Sequence, residues 1–183
     1  MRYALRCLLL ATAMTLAASP GSARAQPNEV RNALASATLG GTTRFTSWGF
    51  NIYDASLWVQ PGFKAAEYER HAFALELTYL RDFTNQPITS RSIDEMQRLP
   101  GATQAQLAAW EAVLRAAFPD IKKGDQIIGL HRPGADVVFI TNGQATETIR
   151  DTDFGRVFFG IWLSPYTSEP RLREALLARV DAP

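Results

Sequence analysis

Cysteine is almost missing from this chain: one in 183 residues, Cys7, inside the first apolar run. Without a second thiol there is no intramolecular disulfide, and a cysteine metal site is excluded too. Histidine is nearly as scarce. His71 and His131 are the only two, and neither has a neighbour at metal-ligand spacing, so no metal and no cofactor is expected. There is no G-x-S-x-G, so a hydrolase elbow has no support. There is no G-x-G-x-x-G or Walker sequence, so nothing is built to cradle a nucleotide phosphate. Charge of one sign is also lacking: 19 basic residues stand against 18 acidic ones, which argues against a nucleic-acid partner.

What is present begins with an address. Arg2 and Arg6 precede an apolar stretch at residues 7–18, and Ala23-Arg24-Ala25 has the small-x-small form of a cleavage site. Residues 1–25 therefore read as a signal peptide, and the mature chain is expected to start at Gln26. That leaves 158 residues, one domain, with 16 basic and 18 acidic groups and a net charge of −2. An exported domain without disulfides must be held by its core, which fits a bacterial periplasm. No later apolar run is long enough to cross a bilayer. The oligomeric state is left open.

The mature sequence punctuates itself. Residues 51–59 alternate, with Ile52, Asp54, Ser56 and Trp58 on one face and Tyr53, Ala55, Leu57 and Val59 on the other. Residues 72–80 alternate too, and the Thr- and aromatic-rich stretch 37–50 is expected to pair with the strand after it. Helices are predicted over 87–98 and 103–118, the second carrying Leu107, Trp110, Leu114 and Phe118 at helical spacing. Strands follow at 126–131, 137–140 and 146–149, the last two joined by the hairpin signal Asn142-Gly143. Two helices close the chain. Asp151 or Thr152 caps the first, whose inner face is Phe154, Phe158, Ile161 and Trp162. The second starts after Ser168, with Leu172, Leu176 and Val180 as its stripe. The order implies an α+β fold, an antiparallel sheet with a helical layer on one face.

Several segments together resemble one family. They are Leu39-Gly-Gly-Thr-Thr-Arg44, Phe50-Asn-Ile-Tyr-Asp-Ala-Ser-Leu-Trp-Val59, Leu75-Glu-Leu-Thr-Tyr-Leu-Arg-Asp82 and Phe118-Pro-Asp-Ile-Lys-Lys-Gly-Asp125, with Asn142-Gly143 and Gly160-Ile-Trp-Leu163. In order and spacing the chain is similar to the chalcone isomerase family, in its bacterial exported branch. The resemblance implies an open-faced β-sandwich, a large antiparallel sheet under helices, with a ligand cleft between them. It implies either an intramolecular lyase acting on an enone or a non-catalytic binder of a small apolar or anionic molecule such as a fatty acid. A structural or partner-binding module is the third reading.

Carried over by position, Arg44 takes the place of the family's substrate-guiding arginine, and Asp54, or Tyr53 one residue away, takes the place of a threonine. Arg44 and Asp54 are therefore the candidate catalytic pair, and Arg44, Tyr53, Tyr79, Phe158 and Trp162 the candidate ligand contacts. A salt bridge between Arg44 and Asp54 competes with the reading of Arg44 as a cleft cation. Core packing competes with a pocket role for the aromatic residues.

Overall fold

The computed structural model describes residues 25–180. The expected leader, all but Ala25, lies outside the described residues. Six strands form a single sheet whose spatial order is their order along the chain, every neighbour antiparallel: β1 (Thr38–Ser47), β2 (Phe50–Val59), β3 (Phe73–Tyr79), β4 (Gln126–Arg132), β5 (Asp136–Thr141) and β6 (Gln144–Ile149). Helix α1 (Asn28–Ala33) precedes the sheet. Helices α2 (Asn85–Arg98) and α3 (Gln104–Ala117) bridge β3 to β4, and α4 (Thr152–Leu163) and α5 (Pro170–Leu177) follow β6. The α+β architecture with a large antiparallel sheet is therefore as expected, and its six strands and helices α2 to α5 lie within a few residues of their reading.

Local chemistry sets the element ends. Thr103 caps α3 through a reciprocal box with Gln106. Asp151 caps α4, accepting from the backbone N–H groups of Asp153 and Phe154, while its other oxygen accepts from Trp110 Nε1 at 2.9 Å. Pro170 opens α5 in its first turn. Both two-residue hairpins place their central residues at positive φ: Asn142-Gly143 at 48° and 81°, and Trp48-Gly49 at 51° and 77°.

Alternation on β2 sorts the layers. Ala55, Leu57 and Val59 join Phe73, Leu75, Leu77 and Phe139 against α4, where Phe154 and Phe158 stack 5.3 Å apart. That face carries α2 to α5. The opposite face is not bare. Short α1 packs Val30 and Leu34 over Trp58, Ala74, Ile128 and Leu130. On this back face Glu76 is buried, accepting from Trp58 Nε1 at 2.9 Å and Gln126 Nε2 at 2.8 Å. The helical layer is thus joined by one helix behind the sheet, which the reading from sequence did not contain.

Candidate functional site

A cavity of about 290 Å³ lies between the front of the sheet and helices α2, α4 and α5. It is about twice the ~150 Å³ void that holds a benzene ring and sits at the lower end of small-molecule sites, about 300–1,000 Å³. The sheet contributes Phe45, Tyr53, Leu75, Leu77, Tyr79, Ile127 and Phe139, and α4 contributes Phe158, Phe159 and Trp162. Ile52 joins them because β2 slips by one residue there. Phe45 pairs with Tyr53 and Thr46 with Asn51, so Ile52 is extra in the register. Such a bulge re-aims side chains, and it places Ile52 in the wall beside Tyr53 rather than on the Asp54 face expected from simple alternation.

The wall is mostly apolar, with a minority of polar groups that includes the carboxylates of Glu95 and Glu169. Tyr53 stacks on Phe45 at 5.1 Å and meets Tyr79 edge-on at 5.9 Å. Its hydroxyl accepts from Trp162 Nε1 at 3.0 Å. Desolvation raises the pKa of both Tyr53 and Tyr79 well above the ordinary tyrosine range, so each stays a neutral phenol. On Tyr53 the Trp162 hydrogen bond opposes that rise. At the α2 side, Ser168 Oγ donates to Glu95 Oε2 at 2.7 Å. Arg91 Nη2 comes within 2.7 Å of Glu95 Oε1 without hydrogen-bond alignment. Glu95 is buried, while Arg91, which also lines the cavity, is 58% exposed and so stands at the cavity's solvent edge.

Arg44 and Asp54 stand elsewhere. They face each other across β1 and β2 on the back of the sheet, on the side of Trp58 and Glu76. Arg44 donates twice to Asp54, Nε to Oδ1 at 2.6 Å and Nη2 to Oδ2 at 2.9 Å. The hydrogen bond and the charge of Asp54 raise the pKa of Arg44, which is half-exposed. Neither residue lines the cavity. The bulge and the register explain this: the strand face that carries Phe45 and Tyr53 inward turns Arg44 and Asp54 outward. Of the sequence-derived candidates, the structure brings Tyr53, Tyr79, Phe158 and Trp162 together around one cavity. It holds Arg44 and Asp54 apart from them.

Arg91, Glu95 and Ser168 were not anticipated. The available signal was an arginine and a glutamate four residues apart on a helix, on the face that also carries Ile88 and Ser92. Among the described residues there is no cluster of three or more His, Cys, Asp or Glu able to hold a metal. No described helix is long and apolar enough to cross a membrane.

The profile of the chalcone isomerase-like family matches residues 25–178. The chain belongs to the chalcone isomerase-like family. A Haemophilus influenzae protein, described as uncharacterised, is 28% identical over 146 residues, which span 78% of this chain and 68% of that one. Among solved structures, the fatty-acid binding protein AtFAP1 of Arabidopsis thaliana superposes with a TM-score of 0.56. The match covers 80% of this chain and 91% of the other at 12% identity, a likeness of fold.

Proposed function

We propose that this protein binds a small, mostly apolar molecule with an anionic head, in the manner of a medium-chain fatty acid, and does so in the bacterial periplasm. The observation that carries the reading is the apolar cavity under the sheet with Arg91 at its rim. A chain placed there leaves water for aliphatic and aromatic walls at a gain of about 0.8 kcal/mol per methylene. The head remains at the rim, where the Arg91 donors not turned to Glu95 meet it. The structural neighbour, itself a fatty-acid binding protein, supports this assignment. The periplasmic site rests on the signal-like residues 1–25 and the absence of cysteine after them.

The test compares dodecanoic acid with dodecanol by calorimetric titration. Both are expected to bind. Arg91→Ala should weaken the acid several-fold, about 1 kcal/mol once the exposure of the guanidinium is allowed for, and leave the alcohol unchanged. Binding of neither, or equal weakening of both, would overturn the reading.

A second reading has one specific support. The neutral phenols of Tyr53 and Tyr79 point hydrogen-bond donors into an apolar cavity, an arrangement able to polarise an enone carbonyl. Loss of chalcone absorbance on adding protein, abolished in Tyr53→Phe, would favour it.

A further inference from the structure

Four tryptophans occur in the chain. Trp58, Trp110 and Trp162 are buried to 6% exposure or less; Trp48 is 95% exposed. It occupies the tip of the β1–β2 hairpin at a φ of 51°. Bulky residues are rare in that left-handed region, and a two-residue turn of this kind favours Asn-Gly. The protein's own second hairpin obeys the preference, with Asn142-Gly143 at nearly identical angles. Trp48 therefore occupies a disfavoured conformation and leaves its large apolar surface in water. Nothing among the described residues gains from this, which points to something beyond them.

Its surroundings narrow the choice. Phe50, two residues on, is 56% exposed, and the Arg81 guanidinium lies 4.2 Å over its ring. Leu80 N–H donates to the Ile52 carbonyl at 2.9 Å, which fixes Arg81 beside the hairpin. The tip leads without a break into the cavity wall, since Phe45, Ser47 and Ile52 line it on either side of the turn. An indole and a phenyl with a cation beside them match the headgroup layer of an anionic bilayer, where amphipathic rings settle and arginine meets phosphate. We infer that the Trp48–Phe50 hairpin tip docks this protein on an anionic phospholipid surface, with the cavity mouth held at the headgroup level so that an acyl ligand passes between bilayer and cavity without crossing open water. Docking rests on Trp48, Phe50 and Arg81 alone; the acyl cargo rests on the function proposed above.

The probe is vesicles of equimolar phosphatidylglycerol and phosphatidylcholine, mixed with the full mature chain. Trp48 is the reporter, because the other three indoles are already shielded. Its emission is expected to move to shorter wavelength on vesicles and to be quenched by brominated lipid. Trp48→Asn restores the favoured turn residue, so the variant should fold at least as well. It is expected to lose vesicle co-sedimentation by about tenfold or more and to slow dodecanoate transfer from vesicles, with affinity for dodecanoate taken from water unchanged. Arg81→Gln should abolish the preference for anionic over purely phosphatidylcholine vesicles. Wild-type vesicle binding by Trp48→Asn, or unchanged emission, overturns the docking proposal. So does a concentration-dependent dimer that Trp48→Asn abolishes in the absence of any vesicle effect, because the tip would then meet a second copy. Docking without uptake of dodecanoate from water would instead sink the acyl-ligand reading and leave docking standing.

Discussion

Gly40 and Gly41 are neighbours in β1, yet the structure assigns them very different tolerance for a methyl group. A Cβ at Gly41 would sit 2.1 Å from the Ala175 carbonyl oxygen and 2.6 Å from that of Leu176. Both are backbone atoms of α5 and cannot swing aside. Normal contacts begin near 3.5 Å, so α5 would have to retreat by more than about 1 Å. It is α5 that seals the core edge with Leu172, Leu176 and Leu177, all buried. Overpacking costs about 1–3 kcal/mol, more where backbone must move, and each leucine loosened forfeits part of its ~1.5–3 kcal/mol of burial. Gly41→Ala is therefore expected to destabilise by about 3 kcal/mol or more, a fall of roughly 6–12 °C in Tm for a domain of this size. At Gly40 a Cβ meets the Val180 Cγ2 atom at 3.1 Å and two carbonyl oxygens at 3.4 Å. Gly40→Ala should stay within about 1 kcal/mol of the parent. Both changes stiffen the unfolded chain alike, so their difference isolates the clash. Thermal unfolding followed by circular dichroism reads it. Since Ser168, Glu169 and Leu172 hang on the α5 end of the cavity, Gly41→Ala should also lose dodecanoate binding. Equal Tm values for the two variants would refute the packing argument.

Two further expectations concern buried polar groups. His131 Nε2 donates to the Glu69 carbonyl at 3.0 Å, while Nδ1 is buried against α4 with no partner among the described residues. Burial lowers its pKa, opposed by the Glu69 hydrogen bond. The unfolded chain thus takes the proton first. The contribution is intact above about pH 6.5 and is lost as pH falls through the lower folded value, at up to ~1.4 kcal/mol per unit. Urea midpoints between pH 7 and pH 5 should fall less steeply in His131→Gln than in the parent. Tyr53→Phe leaves the Trp162 N–H without its acceptor and is expected to lower the urea midpoint by about 1 kcal/mol equivalent, with the denaturant slope unchanged.

The elements were legible because their signals are local. Asn142-Gly143 favours a tight hairpin turn, Asp151 is a favoured helix cap, and the Phe154 to Trp162 stripe turns inward at helical spacing. Tyr53 and Tyr79, offered as ligand contacts by the family resemblance, pair across β2 and β3 on the face that Leu57 and Leu75 also share. What failed to read was which face of the sheet holds the cavity. On β2 both faces carry large apolar side chains, because Trp58 is buried behind the sheet by α1 while Leu57 is buried in front. Hydrophobicity cannot rank two buried faces. Positional likeness to an arginine therefore placed Arg44 in the cleft, whereas the strand register pairs it outward with Asp54. The rim cation, Arg91, comes from a helix whose contact with the sheet depends on long-range packing. No local pattern marks that.

The placement of charge also separates the two functional readings. Within the cavity wall the donors are neutral: a phenol at Tyr79, and one at Tyr53 whose oxygen accepts from Trp162. Accepting that bond polarises the Tyr53 hydroxyl and makes it a stronger donor to a ligand oxygen. The formal charges stand at the α2 and α5 side, Glu169 ahead of α5 and Arg91 and Glu95 on α2, and act on the Tyr53 phenol from there, Glu169 most strongly. A carboxylate in the interior would have to shed its water for two neutral donors and no counter-charge, an unfavourable exchange, so an acid there would lie tail-in with its head on Arg91. An enone gains instead from lying carbonyl-in on Tyr53, where charge growing on its oxygen meets a preorganised donor in an apolar site. One cavity thus orders the two ligand classes in opposite directions. The direction in which a bound molecule lies therefore tells whether this member of the family carries or converts.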